Sequence, residues 1–301
     1  MKKDTYTQGH ILALITILVW GTTFISTKVL LRSFTPVEIL FFRFLIGYFA
    51  LWLAYPRLLH IKHKKQELYF IGAGICGVTL YFLFENIALT FTQATNVGII
   101  VSIAPFFTVL FSRLFLKQQE IHKSFFVGFL LAFAGICCIS FSGNMTLKLN
   151  PIGDILAILA AIVWAMYSTL TKKIGEFGYP VIPMTRRIFF YGVLCMIPAL
   201  FFLDFKLDIT QFMKFENIAN ILFLGLGASA ACFVTWNAAV KILGSVKTSV
   251  YIYLVPVVTT IFSILILHEK ITVVGVIGIV LTLLGLFMSE KRGGKKENGK
   301  C

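Results

Sequence analysis

Long apolar runs separated by short polar clusters set the pattern of this chain. An α-helix needs roughly 20 residues to cross a hydrocarbon core about 30 Å thick. Runs near that length are Ile11–Leu31, Pro36–Tyr55, Leu68–Phe91, Ala94–Leu116 and Ser124–Phe141, followed by Ile152–Thr171, Val181–Leu203, Asn217–Val240, Val246–Leu267 and Ile271–Met288. Apolar–polar alternation is absent, which argues against a transmembrane barrel. The expected fold is an all-α integral membrane protein with ten transmembrane helices. The first run is too long for a typical signal core, holds Trp20-Gly21 at its centre and lacks a small-residue cleavage site, so it reads as a retained span.

Composition agrees with this pattern. The 301 residues are 58% hydrophobic and 13% charged, against about 45–50% apolar and about 25% charged in soluble domains. An ordinary cytoplasmic enzyme is excluded, because one soluble core of this length cannot hide so much apolar surface. The net charge of +14 suggests nucleic acid until its placement is considered. Seventeen of the 27 basic residues fall on the side that holds both termini, five on the other side, and five within or at the edges of spans. Positive charge favours the cytoplasmic face. Both termini are therefore expected in the cytoplasm of a multi-pass plasma-membrane protein. The basic tail 290–301 is a solvated, lipid-headgroup-touching segment and not a nucleic-acid arm. Five of the six cysteines lie in spans without metal spacing, where thiols act as small hydrophobes.

The two sets of five runs resemble each other. At an offset of 144, Val19-Trp20 aligns with Val163-Trp164, Lys28 with Lys172, Pro36 with Pro180 and Arg43 with Arg187. At 151, Asn86 aligns with Asn237, Ala88 with Ala239 and Pro105 with Pro256; at 150, Gly128 aligns with Gly278 and Gly135 with Gly285. The implied units are a first five-helix repeat, 1–143, and a second, 152–289. Five is odd, so the second unit enters the membrane from the opposite side. Inverted repeats of this kind surround a central cavity and offer two nearly equivalent packings, which carriers use for alternating access.

At this point the chain resembles the drug/metabolite transporter superfamily, in its ten-span EamA-type branch. The residues that carry the resemblance are Trp20-Gly21, Arg43-Phe44-Leu45, Glu85-Asn86-Ile87-Ala88-Leu89, Ala104-Pro105-Phe106 and Leu116…Glu120 in the first half. Trp164, Trp236-Asn237-Ala238-Ala239, Val255-Pro256-Val257 and His268-Glu269-Lys270-Ile271 continue it in the second. The resemblance spans essentially the whole chain and implies export or exchange of small metabolites, often amino acids or related compounds.

Charged groups at mid-span cost about 2.5–3.5 kcal/mol on insertion scales, so each needs a reason. Glu85 either takes up a coupling proton or binds a substrate ammonium, or else is a carboxylate near the membrane surface, paired with Arg32 or Lys28 or bonded to helix ends. Arg43 and Arg187, each seven residues beyond a proline, read as architectural groups that cap carbonyls, with recognition of a substrate carboxylate as the alternative. Trp20 and Trp164 sit away from the interfacial level where tryptophan is enriched, and are candidates to line the cavity. Thr23 and Tyr167 lie within one turn of them. Asn86 and Asn237, which follow Glu85 and Trp236, share a repeat position where interhelical bonding and substrate contact are equal readings, and Trp236 is a cavity candidate beside them. Asn96, Ser102 and Tyr251 are further cavity candidates. Pro105 and Pro256 interrupt their runs and are candidate hinges.

No nucleophile–base pair or metal-ligand cluster is spelled out, and the histidines all lie in loops or at span ends. The phosphate-binding pattern G-x-x-x-x-G-K-[ST] is absent. The expectation is a non-enzymatic, cofactor-free secondary carrier that works on a small molecule within membrane lipid, with proton coupling through Glu85 as an option. Efflux of drug-like or cationic compounds, or a passive facilitator or channel, are the alternatives.

Overall fold

The computed structural model describes residues 3–92, 94–116, 123–141, 150–203, 205–206, 208–267 and 272–290. Within them the secondary structure is helical, with no strand. The apolar helices are α1 (Lys3–Leu30), α2 (Pro36–Ala54), α3 (Lys64–Phe91), α4 (Asn96–Leu116) and α5 (Lys123–Phe141). They are followed by α6 (Pro151–Gly175), α7 (Val181–Phe202), α8 (Phe215–Leu243), α9 (Ser245–Phe262) and α10 (Val273–Glu290). Among the described residues, eight are long and apolar enough to cross a membrane, and α5 and α10 are shorter apolar helices. Glu120, the run from His268 to Ile271 and residues 291–301 of the basic tail lie outside the described residues.

Helix starts follow local chemistry. Thr35 caps α2 in a reciprocal box with Glu38, and Pro36 occupies the first turn. Asn150 caps α6 by accepting from the Ile152 and Gly153 amides, again with proline next. Gly244 joins α8 to α9 at φ +92°, a conformation that favours glycine. α1 begins eight residues before the apolar run does. Its polar first turns are held by neighbours: Tyr6 Oη lies 2.6 Å from Lys247 Nζ, and His10 Nδ1 lies 2.5 Å from Tyr251 Oη.

Four helices are irregular, at corresponding places in the two sets of five. α3 contains a π-helical segment, Ile75–Leu80, and α8 contains another, Phe223–Ala231. α4 breaks in a turn at Ser102–Ile103, and α9 tightens into a 3₁₀ turn at Val250–Tyr253. Both candidate hinge prolines stand just past these breaks. Pro105 lies in the first turn of the helix resuming at Ala104, and Pro256 in that resuming at Leu254, where the missing N–H removes no intrahelical bond.

Packing between the sets also comes in corresponding pairs. α1 packs on α8 as α6 packs on α3; α1 meets α9 as α6 meets α4; α2 meets α8 as α7 meets α3. α2 and α7 pack on each other, as do α5 and α10. The last pair is the tightest. A methyl group on Gly135 would lie 2.6 Å from the Gly278 carbonyl oxygen, and one on Gly285 would lie 2.5 Å from that of Gly128. An early glycine thus faces a late one, so α5 and α10 run antiparallel with their backbones in contact.

Candidate functional site

The irregular turns of α3, α4 and α9 flank one cleft, which with its open mouth holds about 580 Å³ of empty space. Trp20 and Thr23 of α1, Arg43 of α2, and Tyr81, Phe82 and Glu85 of α3 line it. Gly98 and Val101 come from α4 just before its break, Trp164 from α6, and Ile252 and Val255 from the bend of α9. Helices from both sets of five therefore contribute walls.

The Trp-Gly pair of α1 has a divided role. Thr259 Oγ1 donates to the Gly21 carbonyl at 2.7 Å, and a methyl group on Gly21 would come within 2.5 Å of Val258. Glycine lets α1 close against α9, while its neighbour Trp20 faces the cleft and donates from Nε1 to the Ala228 carbonyl at 3.0 Å. Trp20 meets Trp164 edge to face with ring centroids 5.2 Å apart, and Tyr81 lies 4.7 Å from Trp164. Trp236 is fully buried outside the lining and packs 5.0 Å from Trp20. The indole N–H groups of Trp164 and Trp236 have no acceptor among the described residues. An unmet buried donor costs about 1–3 kcal/mol.

Two opposite charges stand among these rings. Arg43 is 2% exposed and Glu85 7% exposed. Arg43 Nε donates to Ser229 Oγ at 3.0 Å, and its guanidinium carbon lies 4.3 Å from the centroid of the Phe82 ring. Tyr81 Oη donates to Glu85 Oε1 at 3.5 Å. Glu85 is thus a buried cleft group. Arg43 both ties α2 to α8 and lines the cleft. Its counterpart Arg187 does not: it forms a pair with Glu67 through Nε, at 2.7 Å, and Nη2, at 2.9 Å.

Of the cavity candidates, Trp20, Thr23, Glu85 and Trp164 come together in the cleft. The others lie outside its lining. Asn86 Nδ2 donates to the Pro36 carbonyl at 3.1 Å. Asn237 accepts from Tyr167 at 2.6 Å and donates to Thr185 at 3.0 Å. Asn96 donates to Thr92, Ser102 to the Ile99 carbonyl, and Tyr251 meets His10. Tyr81 was missed although its place one turn before Glu85 is a legible (i, i+4) signal. The apolar lining residues Phe82, Val101, Ile252 and Val255 carry no signal that separates them from other span residues.

The profile of the EamA-like transporter family matches residues 7–141 and again 151–290. An uncharacterized transporter of Archaeoglobus fulgidus is 30% identical over 289 residues, covering 95% of this chain and 98% of its own. A protein of Escherichia coli named a probable amino-acid metabolite efflux pump is 23% identical over 291 residues, with 94% of each covered. A solved crystal structure superposes with a TM-score of 0.76 at 19% identity, covering 94% of this chain and 96% of the other, which shows the shared fold. With two family matches spanning nearly its whole length, the chain belongs to the EamA-like transporter family, whose members are transporters and not enzymes.

Proposed function

We propose that the protein is a secondary carrier that exports small amphipathic metabolites, amino acids or close relatives, by alternating access. The observation that carries this reading is the cleft itself: one buried cation and one buried carboxylate among indole faces. A carboxylate suits Arg43 and the unbonded Trp164 N–H. An ammonium suits Glu85 and the surrounding aromatic rings. The name of the Escherichia coli relative points to the same class.

Ten spans in two inverted repeats, 1–143 and 152–289, account for the pairing of contacts described above. The antiparallel meeting of α5 with α10 supports inversion. With both termini in the cytoplasm of a plasma-membrane protein, Thr23, Glu85 and Gly98 lie toward the outer half of the membrane, so the cleft belongs to an outward-facing arrangement. The contacts of Tyr6 and His10 with α9 then close the cytoplasmic side.

Counterflow in proteoliposomes tests this reading. Preloading with unlabelled amino acid should accelerate entry of labelled amino acid severalfold, and the rate should saturate. Flux that is linear in concentration and indifferent to preloading would mark a pore and end the carrier reading. Flux driven only by cationic amines would reassign the substrate to the cationic class that Glu85 and its aromatic neighbours also suit.

A further inference from the structure

The two sets of five helices share a scaffold, yet only one of the paired arginines reaches the cleft. A hydroxyl of α8 holds Arg43 there. Ser229 lies in the π-helical segment of α8, fully buried, and its Oγ takes the Nε proton of Arg43 at 3.0 Å. Its counterpart at the offset of 151 is Val78, in the π-helical segment of α3. Val78 has no acceptor and fills the space beside Gly192, where a methyl group would come within 2.4 Å of it. The residue that faces this segment of α3 as Arg43 faces α8 is Ile188, whose carbonyl oxygen meets Gly74 as that of Arg43 meets Gly225, and Arg187, one residue earlier, pairs with Glu67.

Occupying Nε has a chemical consequence. A guanidinium offers five donors in a planar fork. With Nε on Ser229 and the guanidinium carbon over the Phe82 ring, the two terminal nitrogens have no protein acceptor among the described residues. They remain for a ligand, and two parallel donors match a carboxylate. A π-helical turn carries one residue more than an α-turn, which shifts the facing of the side chains beyond it, and such turns are frequent at functional sites. It sets Ser229 against α2, opposite Gly47: a methyl group on Gly47 would come 3.4 Å from the Ser229 Cβ.

We propose that Ser229 is a specificity-determining residue. It holds Arg43 so that the transporter selects substrates bearing a carboxylate over the matching amines. This rests on the zwitterion reading of the cleft and assigns the residue behind its preference for the anionic end.

The test is ligand binding to purified full-length protein, followed by tryptophan fluorescence, since Trp20 and Trp164 line the cleft. The ligands are phenylalanine and phenethylamine, which share the ring and ammonium and differ in the carboxylate. Ser229→Ala, and the similarly sized Ser229→Cys, should each weaken phenylalanine about tenfold while phenethylamine changes less than twofold. Monodisperse elution on size exclusion verifies folding of both. Equal weakening of both ligands would make Ser229 a packing residue and overturn the proposal, as would no change in either. If the unaltered protein binds the two ligands equally, or binds neither, the zwitterion reading itself fails and the proposal goes with it.

Discussion

Gly285→Leu is expected to leave little or no monodisperse protein in a detergent extract, measured by size exclusion of a fluorescent fusion. At this position even a β-carbon would stand 2.3 Å from the Ala132 amide nitrogen and 2.5 Å from the Gly128 carbonyl oxygen. Both obstacles are backbone, so no side-chain rotation relieves the overlap, and α5 and α10 must separate. Ordinary overpacking costs about 1–3 kcal/mol. Separating two helices along a shared glycine seam costs more, because close backbone approach is a main source of helix association in lipid. Gly98→Ala is the contrast. Nothing lies within 4 Å of the added methyl group, so the variant should elute like the unaltered protein. Normal elution of Gly285→Leu would show that the seam is not required for folding.

Glu85→Gln is expected to reduce affinity for ammonium-bearing substrates by about 10- to 100-fold, read from the half-saturation concentration in proteoliposome uptake. A charged hydrogen bond contributes about 1.5–3 kcal/mol, and each 1.4 kcal/mol is about tenfold in affinity. Glutamine keeps the shape and a carbonyl oxygen for Tyr81 but loses the charge. Arg187→Gln removes a charge at the repeat counterpart of Arg43, yet lies away from the cleft in its pair with Glu67, and should change half-saturation less than threefold. If Glu85→Gln left both half-saturation and substrate preference unchanged, the carboxylate would have no part in recognition.

How much of this was legible in the residues depended on what carries the signal. Apolar run length locates the helices because lipid admits few alternatives. Trp20, Trp164 and Glu85 stood out because each is costly where it sits. Pro105 and Pro256 marked the two breaks, although proline follows the irregular turn in both cases and does not kink an unbroken helix. The π-helical segments carry no proline, and their glycines, Gly77, Gly225 and Gly227, do not distinguish a π-turn from close helix packing. Arg43 and Arg187 looked alike because the partners that separate them, Ser229 and Glu67, lie far away in sequence. Asn86 and Asn237 show the opposite limit: a polar group in a span announces a bond but not whether the partner is a helix or a ligand. The polar start of α1 offered no hydrophobic period at all; its helix depends on side chains of α9 that only folding brings near.

That overhang has an energetic meaning. α1 runs for 28 residues, about 42 Å at 1.5 Å each, roughly two turns more than a bilayer core requires. The surplus is fastened by Tyr6 to Lys247 and by His10 to Tyr251, while Gly9 sits against Leu243 of α8. At a net of about 0.5–1.5 kcal/mol for a neutral hydrogen bond and about 1.5–3 kcal/mol for one to a charged group, this strap can be undone and remade, and in the alternating-access cycle proposed above it would bias the resting population toward one face. In that proposed cycle its strength would set how far the unloaded molecule favours that face.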